Sequence, residues 1–170
     1  MTLFQALSFL PFVLPIAIWV SWSDMKFMKI PNTAVLTLAA VWLVVGLLLV
    51  LFKEMPFQTW LWGWAFLAIG LVIGFVANML TIIGAGDAKF GAAGAPFFVM
   101  ADVRYALGLF AACLLAAFVI HRTARRIPAL KPLTTTWVSW TNKDFPMGLA
   151  LSGTLVLYLA TPIWMYLRAG

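Results

Sequence analysis

The sequence predicts an all-α fold: a polytopic membrane helix bundle of six transmembrane helices, the fourth of them short, forming one domain over residues 1–170. Two observations carry that expectation. Apolar residues make up 65% of the chain and charged residues only 9%, with a mean hydropathy of +1.05. A soluble domain carries about 25% charge, so this composition cannot build an aqueous surface, and lipid must cover most of it. The apolar residues also fall into runs close to the roughly 20 that a spanning helix needs. Short polar turns separate the runs, and no length remains for a separate soluble domain.

Residues 3–22 are apolar apart from Gln5, Ser8 and Ser21. No basic region precedes them and no small-residue cleavage site follows, so they read as a retained span rather than a signal peptide. Pro11 and Pro15 are expected to kink it. Asp24, Lys26 and Lys29 come next. The second span is expected over 33–52, with Pro31 in its first turn, where a missing N–H costs little. Beyond the turn Lys53-Glu54-Met55-Pro56, a third span covers 60–83. Its Gly70 and Gly74 form a small-xxx-small pattern that lets helices approach closely in lipid. Asn78 is expected to hydrogen-bond across a helix interface, and Trp60, Trp62 and Trp64 to form an aromatic belt.

Residues 88–100 are small and apolar, interrupted by Gly91, Gly94 and Pro96, and fall short of spanning length. A broken apolar segment is tolerated at membrane depth only against protein or a water-filled cavity. It therefore reads as a short fourth helix inside the bundle. The fifth span covers 103–120 and leads into His121-Arg122 and the basic cluster ending at Arg126. The sixth begins near Phe145-Pro146-Met147-Gly148, with Asp144 as its cap, and ends near Leu167.

Charge sets the orientation. With six crossings, Lys26, Lys29, Lys89, Arg122, Arg125, Arg126, Lys131 and Lys143 fall on one side, and Lys53, Arg104 and Arg168 on the other. The positive-inside rule makes the first side cytoplasmic. Membrane orientation thus accounts for the net charge of +6, and no nucleic-acid partner is expected. The single cysteine, Cys113, excludes an internal disulfide and a Cys-x-x-Cys zinc site, and reads as an inert buried thiol. His121 reads as an interfacial residue at a helix end rather than a metal ligand.

The chain has five acidic residues. Two of them, Asp24 and Asp87, close or open apolar segments on the side assigned as cytoplasmic. Carboxylates near the hydrocarbon boundary are costly and usually face a bundle interior or a polar cavity. If the two meet, burial and mutual repulsion raise their pKa values and they share a proton near neutral pH. One member can then take a proton from water while the other donates to a carbonyl oxygen, which is peptide hydrolysis without metal or covalent intermediate. Gly84 and Gly86 flank Asp87 in Gly84-Ala85-Gly86-Asp87-Ala88-Lys89, and are expected to permit positive φ and close approach. The helix dipole would favour ionised Asp87, against desolvation. Other readings stay open on residues alone. Asp24 fits a loop acid pairing with Lys26 or Lys29, and Gly-Ala-Gly-Asp fits a plain helix cap. Lys89 fits either a topology charge or a partner that keeps Asp87 ionised. Glu54, Asp102 and Asp144 are not expected in chemistry.

These stretches resemble the prepilin peptidase family, the membrane aspartic proteases that remove leader peptides from type IV pilin-like precursors. Asp24-Met25-Lys26-Phe27-Met28-Lys29-Ile30-Pro31-Asn32 is similar to the family's Asp…Ile-Pro-Asn element, and Gly84 to Lys89 to its Gly-x-Gly-Asp-x-Lys element. Phe145-Pro146-Met147-Gly148 resembles the Pro-x-Gly stretch of its last span. The resemblance implies that Asp24 and Asp87 are the catalytic pair, with Gly84, Gly86, Lys89, Pro31 and Asn32 supporting the site. It implies a single-pass prepilin as substrate, cut at the cytoplasmic face of a bacterial inner membrane, with no cofactor and no metal. The short form is most similar to peptidases of tight-adherence (Flp-type) pilus systems. It lacks the paired Cys-x-x-Cys insertion of the larger bifunctional members, so N-methylation of the pilin is not predicted. The alternative is a non-enzymatic six-span transporter with Asp24 and Asp87 as a proton or cation site. Such a protein would show broken helices in both halves, and only residues 84–96 look broken. A metal-dependent hydrolase fits less well, since two Asp with Asn32 or Asn78 make a poor Mg²⁺ site.

Overall fold

The computed structural model describes residues 1–127, 134–142 and 144–169; Lys131 and Lys143, both assigned above to the basic side, lie outside them. Among the described residues every regular element is helical. In chain order these are α1 (Leu3–Phe27), α2 (Asn32–Leu51), α3 (Phe57–Met79), α4 (Ala85–Gly94), a 3-10 turn (Ala95–Phe98), α5 (Val103–Ala124), a second 3-10 turn (Val138–Trp140) and α6 (Met147–Ala169). All but α4 are long and apolar enough to cross a bilayer.

Side-chain contacts fix how the helices run. Asp24, near the end of α1, lies against Gly148 at the start of α6. At the opposite end of α1, Gln5 Nε2 donates to the Glu54 carbonyl in the α2–α3 turn at 2.6 Å. Helix α4 lies antiparallel on α3, with Gly70 facing Ala92 and Gly74 facing Ala88. Helix α5 lies antiparallel to α6: Tyr105 meets Tyr158 and Thr161 near its start, and His121 meets Phe145 near its end. Asp87 and His121 therefore share the Asp24 end, whereas Asp102, which caps α5 through a bond from Tyr105 N (3.0 Å), lies at the other. The chain must pass between the ends from 87 to 102, so the short α4 and its 3-10 turn make a sixth traverse, as expected.

Most of the exterior is apolar, as lipid requires, and the interior is fixed by aromatic rings and glycines. Phe9 stacks on Trp42 at 5.4 Å, and Phe97 from the first 3-10 turn meets both rings edge-on. Trp42 and Trp60 exchange indole N–H bonds with each other's carbonyls at 3.3 Å. A Cβ at Gly63 would fall 2.4 Å from the Trp42 ring, and one at Gly46 would fall 2.6 Å from Trp60. Each ring thus lies where the facing helix offers a glycine. The small-xxx-small pair of α3 does the same for α4, because a Cβ at Gly70 would come within 3.0 Å of the Ala92 backbone.

Several local expectations are corrected. Helix α1 contains Pro11 and Pro15 and extends beyond the expected end at residue 22 to Phe27, where Met28 caps it in the left-handed conformation at φ 52°. Asp24 is consequently a buried helical residue rather than a loop acid. Asn78 bonds the Ile83 carbonyl, in the connection that follows its own helix, at 2.9 Å and not a neighbouring helix. Trp60 is an interior contact, while Trp62 is exposed. His121 stands in the last turn of α5 and is buried, stacked on Trp140 at 5.4 Å. Asp144 stands three residues before α6 begins and does not cap it. Cys113 is a buried free thiol, as expected.

Candidate active site

Asp24 and Asp87 line one cleft of about 280 Å³ at the shared end of α1, α4 and α6. Met28, Lys29, Ile30, Asn32, Gly84, Ala85, Gly86 and Lys89 complete its wall. Of the residues expected to support the site, only Pro31 is missing from this wall. It is the N-cap of α2, one position before the helix, and lines an adjoining groove with Ser23, Phe27, Lys29, Ile30 and Val138.

Asp24 is 5% exposed. Its Oδ2 accepts the Gly148 N–H at 2.7 Å, one of the backbone donors that the first turn of α6 cannot use internally. A Cβ at Gly148 would lie 2.9 Å from that oxygen and 3.0 Å from Asp24 Cβ, so only glycine allows this approach. The neighbouring Ser23 hydroxyl donates to the Lys29 carbonyl at 2.8 Å and folds the α1–α2 connection over the helix end.

Asp87 stands in the first turn of α4, outside the five long spans. Burial pushes its carboxyl up to about 6, the charge of Asp24 adds to that, and contact with the Gly84 backbone opposes it. Desolvation thus outweighs the contact with the Gly84 backbone. Its Oδ1 is buried and without a hydrogen-bond partner among the described residues. Two acids distant in sequence thus line one cavity, and the charge of Asp24 acts on Asp87 across it.

The glycines act through space rather than dihedral freedom, which corrects the expectation of positive φ: no glycine among the described residues has it, and Gly84 sits at φ −67°. A Cβ at Gly84 would lie 2.7 Å from Asp87 Oδ2, and one at Gly86 would lie 3.3 Å from Ile30 Cβ. Lys89 donates from Nζ to Asn32 Oδ1 at 3.3 Å, joining the two motif stretches across the cleft. Among the described residues no group of three or more His, Cys, Asp or Glu side chains gathers to hold a metal. The Gly148 donor was not assigned from sequence, although Pro146-Met147-Gly148 stood out there. A backbone N–H leaves no compositional trace.

The family model of the type IV leader peptidase family matches residues 11–121. The chain belongs to the type IV leader peptidase family. Members are prepilin peptidases, so the protein is a hydrolase, a leader peptidase-like protease carried on a multi-pass helical bundle. The matched segment includes Asp24, Asp87 and every cleft residue named above; Gly148 and α6 lie beyond it. No curated protein and no solved structure matches the chain significantly.

Proposed function

We propose that this leader peptidase is an aspartic endopeptidase that removes the leader from a type IV (Flp-like) prepilin at the cytoplasmic face of the inner membrane, with Asp24 and Asp87 as the catalytic pair. The observation that carries the reading is the placement of these two acids, 63 positions apart in sequence, on one cleft at the end of the bundle. The same end holds Lys26, Lys29, Lys89, Arg122, Arg125 and Arg126, which supports its placement on the cytoplasmic side.

The chemistry follows from the pair. With one proton shared between two carboxyl groups, a water between them is deprotonated by the ionised member as its oxygen attacks the scissile carbonyl carbon. The protonated member donates to the carbonyl oxygen, which gives a neutral tetrahedral diol. Collapse reverses the roles: the C–N bond breaks, the leaving nitrogen takes a proton from the first carboxyl, and the second recovers its proton from a diol hydroxyl. The net change is addition of water. The buried position supplies the low-polarity surroundings in which such proton transfers gain most from preset geometry.

Reconstitution with a candidate prepilin in membranes tests the reading. Asp24→Asn and Asp87→Asn should each abolish cleavage while expression and folding persist, since Asn keeps size but cannot move a proton. Cleavage at the wild-type rate in either variant overturns it. The transporter alternative draws no support from a chain whose family is hydrolytic.

A further inference from the structure

Within that dyad reading, we infer that Gly148 is a positioning residue: its N–H, at the start of α6, holds Asp24 as the ionised member of the pair, so that Asp24 is the base toward water and Asp87 the acid toward the carbonyl oxygen. Nothing in the pairing of two carboxyls by itself decides which one carries the proton. The surroundings of the two oxygens do.

Asp24 Oδ2 receives a 2.7 Å bond from Gly148 N and lies against the positive end of a helix of 23 residues. Backbone N–H donors and a helix start favour a carboxylate over a carboxylic acid, whose own hydroxyl would compete as a donor. Pro146, fully buried just before the helix, has no N–H and leaves Gly148 as a close donor in this first turn. Asp87 also stands at a helix start, with its Oδ2 against the Gly84 backbone, but its other oxygen differs. That oxygen is buried and receives no bond, the situation in which a carboxyl stays protonated until a partner arrives. A substrate carbonyl offers an acceptor for that proton. The step balances as written: water loses a proton to Asp24 as the C–O bond forms, and Asp87 gives its proton to the carbonyl oxygen.

The position tolerates no side chain. A methyl at Gly148 would press on Oδ2 and on Asp24 Cβ, turning the carboxylate away from its donor. Gly153, one helical turn and a half further along α6, is a fair control. A Cβ there would meet only Cys113 Sγ, at an ordinary 3.9 Å.

The experiment has two arms on full-length protein in lipid vesicles. In the first, infrared difference spectra followed against pH report protonated carboxyl groups without needing turnover. The carboxylic-acid band that is lost near pH 6 in the wild type should vanish in Asp87→Asn. It should persist in Asp24→Asn, shifted to lower pH, because burial remains after the charge of Asp24 is gone. Persistence in Asp87→Asn, or loss in Asp24→Asn, overturns the assignment of roles. In the second arm, with a candidate prepilin, Gly148→Ala should lower kcat roughly 10- to 100-fold, as expected for loss of a hydrogen bond to a charged group, with KM unchanged. Gly153→Ala should match the wild type. Wild-type kcat in Gly148→Ala overturns the positioning role. Full cleavage by either Asp→Asn variant would instead remove the dyad itself, so the two failures are distinct.

Discussion

Gly74→Ala offers a sharp test of how the bundle holds Asp87. The added methyl would lie 2.9 Å from Ala88 Cβ and 3.2 Å from Ala88 Cα, whereas carbon atoms rest about 3.5–4.0 Å apart. The start of α4 must therefore retreat from α3 by roughly 0.6–1 Å, and Ala88 is the residue next to Asp87. Two energies then compete. Overpacking costs about 1–3 kcal/mol, but alanine in a helix gains about 1 kcal/mol over glycine, so the net loss of stability is small, about 0–2 kcal/mol. Catalysis gets no such compensation: a displacement of about 1 Å at a reacting group can cost about 100-fold. The expected signature is cleavage of a prepilin in vesicles lowered about 10- to 100-fold, while thermal unfolding in detergent shifts by only a few degrees. Gly91→Ala serves as the comparison, because a Cβ there meets nothing within 4 Å; it should keep its activity and gain slight stability. Cleavage within twofold of wild type in Gly74→Ala would refute the claim that the α3–α4 contact sets the position of Asp87.

Other outcomes follow from the same geometry. The kcat/KM for cleavage should fall as pH rises through about 6, where the pair loses its shared proton; a rate that climbs across that range in a pH series would contradict it. Stability has the same sign, because folded Asp87 binds its proton more tightly than the unfolded chain, whose pKa is near 3.8. Stability should therefore decline from about pH 4 to 6, and melting curves of Asp87→Asn should lose that component. Trp42→Ala should cost at least about 2 kcal/mol in detergent unfolding, because the ring fills space between Phe9, Phe97 and Gly63 that no neighbour can close. Chelators should leave cleavage unchanged, since two carboxyl groups complete the proposed chemistry; restoration of a chelated enzyme by divalent ions would oppose this.

The traverses and both acids could be read from the sequence because each is a local signal. A long apolar run names a span, and a carboxylate beside one is conspicuous in a chain with so few charges. What faces what could not be read so easily. In a lipid-covered helix both the protein-facing and the lipid-facing sides are apolar, so periodicity carries little information about the interior. Trp60 and Trp62 differ by two positions and look alike in sequence, yet one bonds Trp42 inside the bundle and the other is exposed. Asp24 looked like a residue after a helix because the apolar run stops at Trp22. The helix continues for another turn because Asp24 finds the Gly148 N–H on a distant segment. Of the two uses expected for the glycines around Asp87, close approach holds and positive φ does not. Their value lies in the absent methyl, a tertiary demand, and not in an unusual dihedral.

The fourth traverse has a consequence for the bilayer around it. Ten residues of α-helix and four of 3-10 helix rise only about 23 Å, against about 30 Å of hydrocarbon. Where lipid meets this traverse the membrane is expected to thin or water to dip inward, and Asp87 stands at one end of it. Solvent is then expected to reach the cleft that Asp24 and Asp87 line at a depth lipid would normally deny it. A hydrolase needs such access, and it should make turnover sensitive to acyl-chain length, slowing as thicker bilayers press against the short helix.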